Sequence, residues 1–280
     1  MWNGVRGKTA GSPELFHRRV DPAGFRSTIV LLAASLAAAA ASAQAPRVVD
    51  VPTRPGVTQR FLYVPATAPV AAAILFAGGH GGLAIRPDGQ FGWGRGNFLV
   101  RTRGLFAERG VSVAVIDAPS DRQAEPWLGR FRQTKEHAAD VKAVAEWLRA
   151  ETTLPVWLVG TSRGTQSAAW LALASIGADG LVLTSTILVD PRGRPVSAMP
   201  IEAIAVPTLV VHHRDDGCSA TPYAQASALA ARLTSSPRKA FLAFDGGTDE
   251  GDPCEAAGHH GYAGIEAAVV DAIVAFVALR

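Results

Sequence analysis

Ser162 stands in the run Gly160-Thr161-Ser162-Arg163-Gly164, a G-x-S-x-G pattern. A serine hydroxyl is a poor nucleophile at neutral pH. It becomes a good one when a neighbouring base takes its proton and a carboxylate holds that base in the right tautomer. The chain carries candidates for both partners further on. The apolar run 207–211 ends in His212-His213-Arg214-Asp215-Asp216, and the run 239–244 leads through a glycine-rich stretch to His259-His260-Gly261-Tyr262. G-x-S-x-G alone arises by chance, so its setting carries the reading. It follows the apolar run 155–159 directly and opens a helical stretch near Arg163. In a strand, tight turn and helix of this kind the serine sits strained and exposed. Its hydroxyl then lies at a helix N-terminus, where backbone N–H groups favour a developing negative charge.

The same histidines admit a rival chemistry. His212, His213, His259 and His260, with Asp215, Asp216, Asp249 and Asp252, are of the types that hold zinc. Adjacent histidines on an extended chain point to opposite faces and chelate poorly, and none of these pairs has the i, i+4 spacing of H-E-x-x-H. No metal site is therefore expected, and no organic cofactor is needed. His80 and His137 read as hydrogen-bonded structural residues.

Elements that could position these groups follow from the hydropathy pattern. Short apolar runs predict strands at 60–64, 71–76, 111–117, 156–160, 180–184, 207–212 and 239–244. The later ones are almost continuously hydrophobic, as strands covered on both faces are. Helices are expected at 135–149, 163–176, 222–233 and 264–279; in the first, Val141, Val144, Ala145 and Leu148 fall on one stripe. Alternating strands and helices indicate an α/β domain with a mainly parallel sheet and helices on both faces. Two irregular stretches, 78–97 and 245–261, are long for loops in a compact domain, and such loops are usually functional.

The ordered set of serine motif, acid-bearing strand end and late histidine resembles the small α/β-hydrolases, in particular their serine esterase and dienelactone-hydrolase-like branches. The resemblance spans about residues 60–280. It implies the α/β-hydrolase fold with the order Ser, Asp, His. In that family the acid often stands four residues after a strand-end His, which points from His212 to Asp216, with Asp215 as the alternative. The family's histidine often precedes Gly and an aromatic, which selects His260 over His259. Residue 213 is His where Gly is common, and position 162 is Ser where dienelactone hydrolases use Cys, so that substrate class is not implied.

Acyl transfer also needs two N–H groups aimed at the tetrahedral oxygen. One is expected from Arg163, the residue after the nucleophile. The other should come from the loop after 71–76, which reads Ala77-Gly78-Gly79-His80-Gly81-Gly82; Gly79 is favoured, with His80 as the alternative. Phe91, Trp93, Trp127 and Phe131 are candidates to line a pocket, and 117–121 is a candidate wall.

Residues 1–43 read as an export signal. Basic residues up to Arg26 precede a 13-residue apolar run, 29–41, and Ala41-Ser42-Ala43 offers a small-x-small cleavage site. That run is short of the roughly 20 residues that span a bilayer, so cleavage rather than membrane insertion is expected. A single domain, 44–280, would remain, with little chain for a cap and hence an open site. The formal charge of +3 resides in the leader, where five basic side chains face Glu14 and Asp21. The balanced remainder has no basic stripe for nucleic acid. In an oxidising compartment the only two cysteines, Cys218 and Cys254, are expected to pair. The expected protein is thus a periplasmic or secreted serine hydrolase acting on a small-molecule ester. A peptidase or acyl transferase with the same triad, and a non-catalytic binding protein of the same fold, are its rivals.

Overall fold

All six residues of the strand Ala71–Phe76 are buried, and alternate ones face opposite ways. Ala72, Ile74 and Phe76 join one apolar cluster, and Ala71, Ala73 and Leu75 join another. A strand so covered must lie inside a layered α/β structure. The computed structural model describes residues 44–191 and 193–279; the expected leader, 1–43, lies outside the described residues.

Among the described residues eight strands form one sheet: β1 Arg47–Arg54, β2 Val57–Val64, β3 Ala71–Phe76, β4 Val111–Ile116, β5 Val156–Thr161, β6 Gly180–Thr184, β7 Thr208–His213 and β8 Lys239–Phe244. Their order is β1-β2-β4-β3-β5-β6-β7-β8. β2 is antiparallel to both β1 and β4, and β4, β3, β5, β6, β7 and β8 run parallel. The described residues form six helices: α1 Phe98–Arg101, α2 Arg103–Glu108, α3 Lys135–Thr152, α4 Gly164–Leu173, α5 Tyr223–Arg232 and α6 Glu266–Ala278.

The helices cover both faces of the sheet. Val141, Val144 and Leu148 of α3, Ala168 and Leu171 of α4 and Leu229 of α5 pack on Ile74, Leu158 and Leu183. Phe98 of α1, Phe106 of α2 and Val269, Val270 and Ile273 of α6 pack on Leu75, Val113 and Val159. The stripe expected on α3 is the buried one, and α6 is as buried as its composition requires.

The strand β1 and the helices α1 and α2 have no counterpart in the sequence reading. β1 is an edge strand with polar residues and Pro52, which an edge tolerates because its free side needs no donor. Between β6 and β7 the described residues contain only two 3-10 turns, Val196–Ala198 and Ile201–Ala203, so no cap domain arises there.

The strand order sets the position of the site. The chain leaves β3 for β4 on one side, then returns over β3 to β5 on the other. The loops after β3 and β5 therefore diverge toward opposite faces, opening a crevice at the carboxyl ends of the strands. The glycines of the serine motif make that junction tight. A Cβ on Gly164 would collide with the carbonyl oxygen of Phe76, and one on Gly160 would stand 2.6 Å from the Gly164 oxygen. Gly164→Ala is expected to destabilise the fold by about 1–3 kcal/mol through overpacking, read as a lower urea midpoint at unchanged slope.

Candidate active site

Ser162 lies on the turn between β5 and α4 with φ 51°, a left-handed conformation that is costly for a residue with a Cβ. Its N–H donates to the Thr184 carbonyl at 3.1 Å, and its own carbonyl accepts from the Thr165 N–H at 2.9 Å and the Thr165 hydroxyl at 2.6 Å. The turn is thus fixed from both sides, with the side chain half-buried at the mouth of the crevice. Gly78, on the loop after β3, approaches so closely that a Cβ there would sit 3.0 Å from that of Ser162.

Asp216 and His260 come together from the loops after β7 and β8. The His260 Nδ1 lies 3.2 and 3.1 Å from the two carboxylate oxygens of Asp216. A carboxylate only accepts, so Nδ1 carries a proton, and in that tautomer the lone pair lies on Nε2. That Nε2 is buried and has no partner among the described residues. The His260 ring and Ser162 line the same cavity, of about 930 Å³, although no hydrogen bond joins them.

The surroundings favour the charged acid. Asp216 also accepts from the Cys218 N–H at 3.0 Å and the Thr221 hydroxyl at 2.9 Å. Burial pushes its pKa up, but the hydrogen bond from the His260 imidazole, the charge of that ring when it is protonated, and the Cys218 N–H outweigh it and hold the carboxyl below its usual range. His212 stands beside it, with Nε2 donating to the Thr221 carbonyl at 2.8 Å. Burial lowers the pKa of His212 and keeps it neutral, so it does not compete for the carboxylate's charge. Asp215, the alternative acid, is exposed, and its carbonyl accepts from His259 Nδ1 at 3.2 Å. His259 itself stacks on His213, with ring centroids 4.2 Å apart.

Two sets of contacts that sequence reasoning missed, and the disulfide it expected, hold this arrangement. The Tyr262 hydroxyl donates to the Val211 carbonyl at 3.0 Å and accepts from the Ser185 N–H at 3.1 Å, and the Ser185 hydroxyl donates to the His260 carbonyl at 2.8 Å. Arg101 bonds the carbonyls of Gly96, Ala256 and Gly261 and the carboxylate of Glu266, joining the loops on either side of the cavity. Cys218 and Cys254 form a disulfide, with Cα atoms 4.6 Å apart. It links the loop of Asp216 to that of His260.

The glycine-rich loop after β3 is braced from behind. The Asp117 carboxylate accepts from the N–H groups of Leu83, Ala84, Ile85 and Ala118. Asp117 is therefore a buried anchor for this loop and does not wall the 930 Å³ cavity, in contrast to the expectation for 117–121. Arg132 bonds the carbonyls of Ala77 and Gly79 from the other side. Gly79 and Arg163 both line the cavity, and their N–H groups donate to no partner among the described residues. Of the four aromatics, Trp93 alone lines it; Phe91 and Phe131 are buried in packing, and Trp127 stacks on His80. As expected, His80 and His137 make structural bonds, to the Gly82 N–H and the Ser167 hydroxyl.

His213, Asp215 and His259 bring donor atoms within 4.8 Å of one another. Both nitrogens of His213 are committed to the backbone, Nε2 donating to the Gly246 carbonyl and Nδ1 accepting from the Asp215 N–H. That ring offers a metal no lone pair without losing one of these bonds.

No family model matches the sequence, and no curated protein matches it. Solved structures do match in fold. The Pyrococcus furiosus esterase Pf2001 superposes with a TM-score of 0.59 at 13% identity, over 83% of this chain and 91% of that one. The esterase domain of a Rhodothermus marinus protein gives 0.55 at 15%, over 84% and 98%. ATU1826 of Agrobacterium tumefaciens, a protein of unknown function ascribed to the α/β hydrolases, gives 0.55 at 14%, over 82% and 94%. This chain has the α/β-hydrolase fold.

In an α/β-hydrolase fold the carboxyl ends of β5, β7 and β8 carry Ser162, Asp216 and His260, and the loop after β3 carries Gly79. The lowered pKa of Asp216 has a consequence for stability. A carboxyl whose folded pKa is depressed stabilises above its unfolded value and loses that contribution as pH falls through the folded one. Asp216→Asn should therefore cost most at neutral pH, and the gap to wild type should be narrower at about pH 3, below the ordinary Asp value. Urea denaturation at both pH values measures it.

Proposed function

We propose that the protein is a serine hydrolase that cleaves carboxylic esters through an acyl-enzyme. Ser162 is the nucleophile, His260 the general base and acid, and Asp216 the group that holds the imidazole. The observation that carries the proposal is the His260 ring. Its Nδ1 is bonded to a buried carboxylate, its Nε2 is unpartnered, and the residue lines the cavity that Ser162 also lines.

In the first step Ser162 Oγ attacks the ester carbonyl carbon and its proton passes to His260 Nε2. The resulting oxyanion accepts from the free N–H groups of Gly79 and Arg163, the second at the N-terminus of α4, where the helix dipole adds to the attraction. As the intermediate collapses, His260 returns the proton to the departing alcohol oxygen and the acyl group stays on Ser162. Water then attacks, His260 takes its proton, and collapse of the second intermediate hands a proton back to Ser162 as the acid leaves. Asp216 stabilises the imidazolium in each half without itself gaining a proton.

The disulfide supports an exported protein, periplasmic or secreted, with residues 1–43 as its leader and the hydrolase domain over 44–280. The absence of a cap between β6 and β7 favours small, soluble esters as substrates.

A fluorophosphonate probe should label wild type and leave Ser162→Ala unlabelled. On short 4-nitrophenyl esters, Ser162→Ala and His260→Ala should each lose roughly 10⁴-fold or more in kcat, with Asp216→Asn near 10⁴-fold. Normal folding with neither labelling nor turnover in wild type would refute the reading. Aminoacyl amides hydrolysed in preference to the esters would reassign it to a peptidase.

A further inference from the structure

A second cavity, of about 1110 Å³, lies beside the one that holds Ser162 and His260. The two share Gly79, Arg163 and Pro191 as walls. Its described lining contains four arginines, Arg130, Arg132, Arg163 and Arg194, against one carboxylate, Asp190. Asp190 is already engaged by Arg163 Nη1 at 2.8 Å and Gln166 Nε2 at 2.9 Å. The remaining arginines have no acidic partner among the described residues.

Arg132 shows how unusual this surface is. It is 6% exposed, yet its guanidinium bonds only neutral groups: the Ser167 hydroxyl at 3.1 Å and the carbonyls of Gly79 at 3.1 Å and Ala77 at 3.4 Å. Burial, with Arg163 nearby, lowers its pKa to about 9, which still leaves it charged at neutral pH. Arg194 bonds the Ala198 carbonyl, and Arg130 stands exposed at the rim. His80, kept neutral by burial and by Arg132, adds nothing to offset them. A concave, low-dielectric wall with an excess of one charge concentrates ligands of the opposite sign, and guanidinium forks match a carboxylate in geometry.

The position of His260 decides which end of a substrate enters. The leaving alcohol must lie where His260 can protonate it, and His260 borders only the first cavity. The acyl chain then passes between Gly79 and Arg163 into the second. We propose that the arginine-lined cavity is an acyl subsite for esters whose acyl chain ends in a carboxylate, that is, monoesters of dicarboxylic acids. The proposal rests on the hydrolase reading above and names its substrate class.

The test compares 4-nitrophenyl hemiglutarate with uncharged 4-nitrophenyl pentanoate on the mature protein, reading kcat/KM for each. Wild type should favour the anionic ester by about tenfold to hundredfold, the range of a charged hydrogen bond, and added salt should shrink that ratio. Arg130→Glu and Arg194→Glu should each cut the ratio by about tenfold. Pentanoate hydrolysed as well as hemiglutarate by wild type, or a ratio that neither reversal changes, would overturn the subsite while leaving the hydrolase intact. No turnover of either ester and no fluorophosphonate labelling would remove both.

Discussion

The close approach of α4 to the centre of the sheet is the constraint on which the rest depends. The helix starts so near β3 that its first residue must lack a side chain, because the Phe76 carbonyl occupies the space a Cβ would need. The chain can leave β5 and reach that helix only through a left-handed residue, and Ser162 occupies it. Cysteine or alanine at 162 would face the same backbone cost, so the strain belongs to the junction rather than to the hydroxyl. What the junction provides is placement: a side chain lifted clear of the sheet, with the N–H of Arg163 beside it.

The other half of the site is arranged by electrostatics. Asp216 is buried in surroundings that would by themselves neutralise it, and donors from His260, Cys218 and Thr221 keep it ionised. That charge fixes the imidazole tautomer, since only a protonated Nδ1 can face a carboxylate at 3.1 Å. His212 also stands near the carboxylate, with Nε2 3.5 Å from it, but is held neutral, with its proton directed to the Thr221 carbonyl. Two histidines near one acid therefore take different parts because their second partners differ.

Much of this was legible in the sequence where a local pattern maps to one element. The strands at 71–76, 180–184 and 239–244 have the expected bounds because each is an apolar run closed by turn residues. The pairing of Cys218 with Cys254 needed only their number. β1 was hidden because an edge strand with Pro52 looks polar, and α1 and α2 because glycine dominates the stretch before them. The choice between Asp215 and Asp216 came from a family pattern; the physical difference, one exposed and one buried among donors, appears only in three dimensions. The roles of Asp117, Arg132 and Tyr262 left no sequence signal, because each acts on backbone distant along the chain.

The brace on the glycine-rich loop bears on how the protein meets a ligand. With three amides fastened to Asp117 and two carbonyls to Arg132, a loop that composition alone would make floppy is ordered before anything binds. Freezing such a segment at the moment of association would subtract from affinity. Here that entropic loss was met during folding, and discrimination among ligands falls to the shape and charge of a crevice that already exists.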